Sequence, residues 1–186
     1  MTLTPTRRRF TVHDCQQMAQ AGILAEDDRV ELIDGEIIQM SPIGSRHFAA
    51  VARLTRQFVQ RFGDVALVVV QRSVRLGEHQ EPQPDLALVK DRPDCYAAAL
   101  PTPPDILLLV EVADTSLEYD RRQKLPLYAR HGIPEVWLVD VTTETILVSR
   151  DPGPSRYRTS WTVGRSDRLA PLAFPQRELT GLELLG

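Results

Sequence analysis

Two acidic residues of this sequence could do chemistry together, and one of them stands where an acid is hard to accommodate. Glu111 lies inside ILLLVEVA, a run apolar enough for a strand covered on both faces, and Asp85 follows Pro84 at the head of DLALV. An ionised carboxylate in such a run is destabilising to bury unless a cation or another strong partner compensates it. Adjacent strand ends would bring the two carboxylates into one concavity, where a hard cation could bind. Magnesium takes one or two carboxylates and completes its octahedron with water and substrate phosphate oxygens at about 2.0–2.1 Å. Held there, the ion would lower the pKa of a bound water and neutralise charge building on a scissile phosphate, which is what phosphodiester hydrolysis demands. Taken singly, each acid has a structural alternative: Asp85 as the cap of a strand or turn, Glu111 as one half of an ion pair.

Several elements must form to bring these residues together. Thr11, with Asp14 three residues on, caps a helix over 11–24 that Gly22 ends. RVELIDGEIIQMSP is two alternating stretches joined by Asp34-Gly35, the pair favoured in a two-residue hairpin turn. From His47 to Phe62, Phe48, Val51, Phe58, Val59 and Phe62 recur at helical steps among arginines and predict an amphipathic helix. VALVVVQRSVRL reads as one long strand, PDLALVK and DILLLVEVA as two more, and the proline-rich 91–105 between the last two as a loop. SLEYDRRQKLPLYARHG is a helix broken or kinked near Pro126 and ended at Gly132. IPEVWLVDV and ETILVSR form a further strand pair, and the tail from Asp151 shows only scattered aromatics suited to edge packing. This order predicts one mixed sheet flanked by helices, α/β or α+β, in a single domain over 1–186 with a core at 28–150 and a C-terminal extension at 151–186.

The bulk properties narrow the function. The 186 residues suffice for one enzyme domain, no apolar run approaches the roughly 20 residues of a membrane span, and MTLTPTRRRF has no apolar stretch typical of a secretory signal. A cytoplasmic protein with no membrane partner is expected. Cys15 and Cys95 lack the spacing of a zinc or redox motif and read as free thiols. A net charge of -3 argues against non-specific coating of nucleic acid, which needs many Lys and Arg contacts, yet leaves room for a local basic cleft. Arg7, Arg8 and Arg9 read as a solvated tail; Arg46, Arg121 and Arg122 are better placed to grip a backbone. His13, His79 and His131 have no partner pattern. No Walker-type glycine loop or base-reading motif is present.

The order of RVELIDGEIIQMSP, SRHFAAV, EPQPDLALV and LLLVEVADTSLEYDRRQKLPLYARHGIPEVWLVD resembles the Uma-type restriction endonuclease family of the PD-(D/E)XK nuclease superfamily, over most of the chain. The resemblance implies a restriction-endonuclease-like fold, DNA as substrate, and Asp85 and Glu111 as ligands of magnesium or manganese. The lysine that usually follows the acid by two residues is absent, since that position is Ala113. Lys124, on the helix directly after the Glu111 strand, is the candidate replacement, and Asp120 four residues earlier would share its face and orient it. Its ammonium would meet the attacking water or the developing phosphorane charge. The resemblance also places Glu31 near the metal and has a histidine at His47, suited to phosphate contact or proton transfer. Their structural alternatives are a sheet-surface acid and an ordinary helix-start residue.

The leading expectation is a metal-dependent DNA endonuclease, as a homodimer because a duplex has two strands to cut. Ala113 and the acidic balance keep open a nuclease fold retained as an inactive nucleic-acid-binding or interaction module. A hydrolase of another phosphate ester ranks third.

Overall fold

The computed structural model describes residues 7–25 and 27–186. The first six residues, on which the reading of the N-terminus partly rests, lie outside them.

Helix α1 (Val12–Gln20) starts at a reciprocal capping box between Thr11 and Asp14. It ends four residues earlier than expected, because Ala21–Leu24 form turns around Gly22, at φ 72°. Strands β1 (Val30–Ile33) and β2 (Glu36–Gln39) form the expected hairpin. Asp34 and Gly35 both have positive φ, 53° and 76°, as the tightest hairpin turn with the right twist requires. The hairpin is a separate two-stranded sheet, tied through Leu32 to the backbone of Glu81.

Helix α2 (Ser45–Phe62) buries Ala50, Val51, Leu54, Phe58 and Phe62. Phe48 and Val59, assigned to the buried face from their spacing, are 67% and 52% exposed. The inward stripe instead runs through Leu54, at the 3–4-residue step between Val51 and Phe58. Strand β3 is only Leu67–Val70, not the long strand expected to Leu76. At Gln71 the backbone turns left-handed (φ 47°), and the remaining residues form an irregular extended arm bonded to Gln80 and Pro82. Strand β4 (Leu86–Val89) follows, then the expected loop, which closes with a single 3-10 turn at Pro103–Asp105.

Strand β5 (Ile106–Ala113) is joined to β6 (Glu135–Asp140) by a helical crossover: α3 (Leu117–Tyr119), a π-helical stretch Asp120–Lys124, and α4 (Leu125–Arg130). The crossover is obligatory, because β5 and β6 are parallel while all other neighbours in the sheet are antiparallel. The disturbance expected near Pro126 is a widened turn rather than a stop. Proline has no N–H to bond back along the helix, and the Leu125 N–H bonds five residues back to Asp120. Strands β7 (Thr145–Pro152) and β8 (Tyr157–Val163) complete a six-stranded mixed sheet in the order β3-β4-β5-β6-β7-β8. The tail adds β9 (Arg168–Leu169), β10 (Leu179–Thr180) and α5 (Gly181–Leu185).

Side chains alternate between the two faces of the sheet. Leu86, Leu88, Leu108, Val110, Val112, Trp137 and Val139 pack under α2 and α5. Ala87, Val89, Leu109 and Val136 pack under α4, with Ile33 of the hairpin and Val74 and Leu76 of the arm. Glu111, two residues after Leu109, therefore points at α4 and the hairpin. No helix among the described residues is long and apolar enough to cross a membrane.

Candidate functional site

Antiparallel pairing of β4 with β5 puts the start of one strand beside the end of the other, with Leu86 opposite Val110. The next residues outward are Asp85 and Glu111, so two acids distant in sequence become neighbours. Asp85 is fixed on three sides. The Val112 N–H donates to its Oδ2 at 2.9 Å, Gln71 Nε2 reaches Oδ1 at 3.3 Å, and His47 Nε2 lies 3.1 Å away. His47 comes from the first turn of α2, whose N-terminus points at this strand end.

Glu111 is clamped by the crossover. Lys124 Nζ donates to its Oε2 at 3.1 Å, and Tyr128, one turn further along, gives Oε1 a short hydrogen bond. Lys124 also lies 2.9 Å from Glu31 Oε1 on the hairpin, which accepts the Gln83 N–H at 2.8 Å as well. Glu31 is buried (1% exposed), and its Oε2 has no partner. The expected Asp120–Lys124 pairing is not what holds the lysine. Asp120 accepts from Ser116 Oγ at 2.6 Å, and Glu31 takes the place expected of it. The π stretch turns Asp120 and Lys124 both inward; such turns recur at functional sites.

Glu31 and Glu111 contact one ammonium, Asp120 acts on it from the same side, and Asp85 lies near Glu111. Burial pushes the Glu111 carboxyl well above the ordinary range; Lys124 opposes this, and the neighbouring acids reinforce it. Burial likewise raises Asp120 against the pull of Lys124 and Ser116. For Lys124 burial alone would favour the neutral amine, but Glu111, Glu31 and Asp120 outweigh it and keep the ammonium charged. Burial and the nearby Glu31 push Tyr119 up to about 12, so its hydroxyl stays a donor; it is enclosed and unpartnered.

All five residues singled out from sequence, Glu31, His47, Asp85, Glu111 and Lys124, meet at this one point. Four of them line a cleft of about 430 Å³, and Glu31 stands behind Lys124. The cleft runs between the end of the hairpin, Met40–Gly44, and the segment 114–120. Of the basic residues expected to flank it, Arg46 lies 2.8 Å from Asp114 without hydrogen-bond alignment, Arg122 pairs with Glu118 at 2.9 Å, and Arg121 is exposed. Arg29, not singled out from sequence, lines the cleft and donates to the Ser41 carbonyl. Tyr128, Gln71 and the Gln83 backbone were also missed. Only Tyr128 carried a signal, the four-residue step from Lys124.

The family model for Uma2, described as "Putative restriction endonuclease", matches residues 13–181. A solved structure described as "a putative nuclease belonging to DUF820 from Anabaena variabilis ATCC 29413" has a TM-score of 0.68, covering 84% of this chain and 89% of that one at 16% identity. At that identity the likeness shows the fold, the six-stranded mixed sheet flanked by helices. No curated protein matches the chain. The family match, in contrast, runs from α1 to the start of α5, nearly the whole sequence, and on that span the chain belongs to the Uma2 family.

Proposed function

We propose that this protein is a metal-dependent DNA endonuclease whose reaction takes place at Asp85, Glu111 and Lys124. The observation that carries the reading is the buried group of four carboxylates, Glu31, Asp85, Glu111 and Asp120, that has Lys124 as its one buried ammonium among the described residues and opens onto a cleft. One lysine cannot balance that charge, and a divalent cation would remove most of the excess. The unpartnered Glu31 Oε2 leaves a lone pair of the group without a donor. Among the described residues no three His, Cys, Asp or Glu side chains are arranged to hold an ion by themselves. Asp85 and Glu111 would therefore hold magnesium or manganese with water and phosphate oxygens completing the shell, the usual pattern for magnesium. That ion supplies a water of lowered pKa and neutralises charge on the phosphate.

The chain's own groups divide the remaining work. An ammonium has three N–H donors; Lys124 has two carboxylate partners, so one donor is left for the attacking water or the phosphorane oxygens. Glu31 fixes the lysine from behind. His47, beside Asp85 and half-buried at the cleft wall, is in position to carry a proton to or from the cleft. Where both strands of a DNA are to be cut, two such centres are needed, and a homodimer would supply them.

The test is cleavage of supercoiled and linear DNA in magnesium, manganese or EDTA, with Glu111→Gln and Lys124→Met alongside. Metal-dependent nicking, lost by at least about 100-fold in both variants, is the expected result, on the scale of removing one electrostatic stabiliser. DNA binding without cleavage in any metal would instead favour a nuclease fold kept as a binding module.

A further inference from the structure

The cleft has two chemically different parts. Its floor is the carboxylate and lysine group. Its outer wall, where β2 runs into the first turn of α2, presents Ile38, Met40, Pro42 and Ile43 among Arg29, Gln39 and Ser41, with Ile43 40% exposed. A duplex turns phosphates and sugars outward and keeps its bases stacked, so the apolar side chains of this wall would have nothing to cover beside the scissile phosphate. At about 430 Å³ the cleft falls within the range that encloses a small organic ligand. It is far too small for a segment of duplex, which would have to lie across its mouth. The floor residues Glu111 and Lys124 are 3% and 1% exposed, at the bottom of the cleft. Enzymes that work on an enclosed nucleotide take it out of the stack and hold the base against apolar or aromatic side chains.

We infer that the cleft seats one unstacked nucleotide, its base against Met40, Pro42 and Ile43 and its phosphate at the carboxylates, so that the preferred substrate is single-stranded or locally opened DNA. The inference rests on the nuclease reading above and specifies its substrate. A single strand has no pairing to lose, and the unstacking that a duplex must undergo at this site is a free-energy cost it largely avoids. Duplex binding is weaker by that difference.

The experiment is fluorescence anisotropy of a labelled 12-nucleotide single strand and of the same strand in duplex, in calcium at fixed salt, with wild-type protein and Ile43→Ser. Ile43 is a surface residue, and a thermal melt checks that the variant folds. The expected result is at least about tenfold tighter binding of the single strand, with Ile43→Ser losing threefold or more on the single strand and nothing on the duplex. Equal or tighter binding of the duplex, or a single-strand affinity untouched by Ile43→Ser, overturns the nucleotide seat. Metal-dependent cleavage persisting beside duplex preference would leave the nuclease reading standing alone. Binding of neither DNA would remove both.

Discussion

Lys124 shows how one side chain can hold two elements and a reaction centre together. Its ammonium joins Glu31 of the hairpin to Glu111 of the central strand inside the protein. Removing one member of a buried ionic group costs about 3–5 kcal/mol, because the partners are left charged in a poor solvent. Lys124→Met is therefore expected to destabilise the fold by that order at neutral pH, and adding Glu31→Gln should recover a part of it. A double-mutant cycle in urea reads the coupling directly; a value near zero would mean that the pair stabilises nothing. Tyr128→Phe, which leaves Glu111 Oε1 without its protein donor, should cost about 1–3 kcal/mol by the same denaturation measurement. Glu111 was legible in the sequence because an acid inside ILLLVEVA contradicts its surroundings, whereas Glu31 came from the resemblance. Lys124 emerged only through resemblance, since a lysine on a charged helix contradicts nothing. Gln71 and Gln83 were invisible: an amide is at home on any surface, and their partners lie 14 and 52 residues away.

The elements that carry these residues were legible where the turn chemistry is local. Asp34-Gly35 fixes the hairpin and thereby presents Glu31. At Gly35 the backbone has φ 76°, and a Cβ there would come within 2.6 Å of Arg9 Cβ. Gly35→Ala is expected to destabilise by more than about 1 kcal/mol, since the gain from a stiffer unfolded chain is smaller than the native strain. A melt showing no loss would refute this. The overlong β3 failed for the opposite reason: its end is set by Gln71 in a left-handed conformation, for which neither glycine nor asparagine gives notice. The turn after β6 offers a pH test. Burial alone would raise the Asp140 carboxyl, but the Thr143 hydroxyl and the Thr143 and Thr142 N–H groups outweigh it and hold it below its usual 3.8. A depressed carboxylate stabilises the fold above its unfolded pKa, and this contribution fades as pH falls through the folded value. Asp140→Ala should thus cost roughly 1 kcal/mol at pH 7. The gap to wild type should close below about pH 3.8, and a gap independent of pH would rule out the carboxylate as its source.

For the molecule as a whole, the sheet divides two jobs. One face, under α2 and α5, is an apolar core; the other carries α4, the hairpin and the acid group. The mixed sheet followed from the order of the elements, but the division of its faces did not, because β5 is apolar on both. Strand β8 and α5 were not read, because Arg158–Thr162 are exposed on both faces and so show no alternation, and α5 is barely more than one turn. The acid group sits where the hairpin, the crossover and two strands meet, so its unbalanced charge bears on the stability of the entire fold. A cation bound only by the native state stabilises by RT ln(1 + [L]/Kd), about 2.7 kcal/mol at a hundredfold excess over Kd. For a chain of this size that corresponds to a rise in Tm of roughly 5–10 °C. Manganese should give such a rise in the wild-type protein. Glu111→Gln removes a ligand charge and should lose most of the response, while sodium at matched ionic strength should give none. An equal rise in Glu111→Gln would assign the manganese to some other part of the surface and separate the acid group from cation binding.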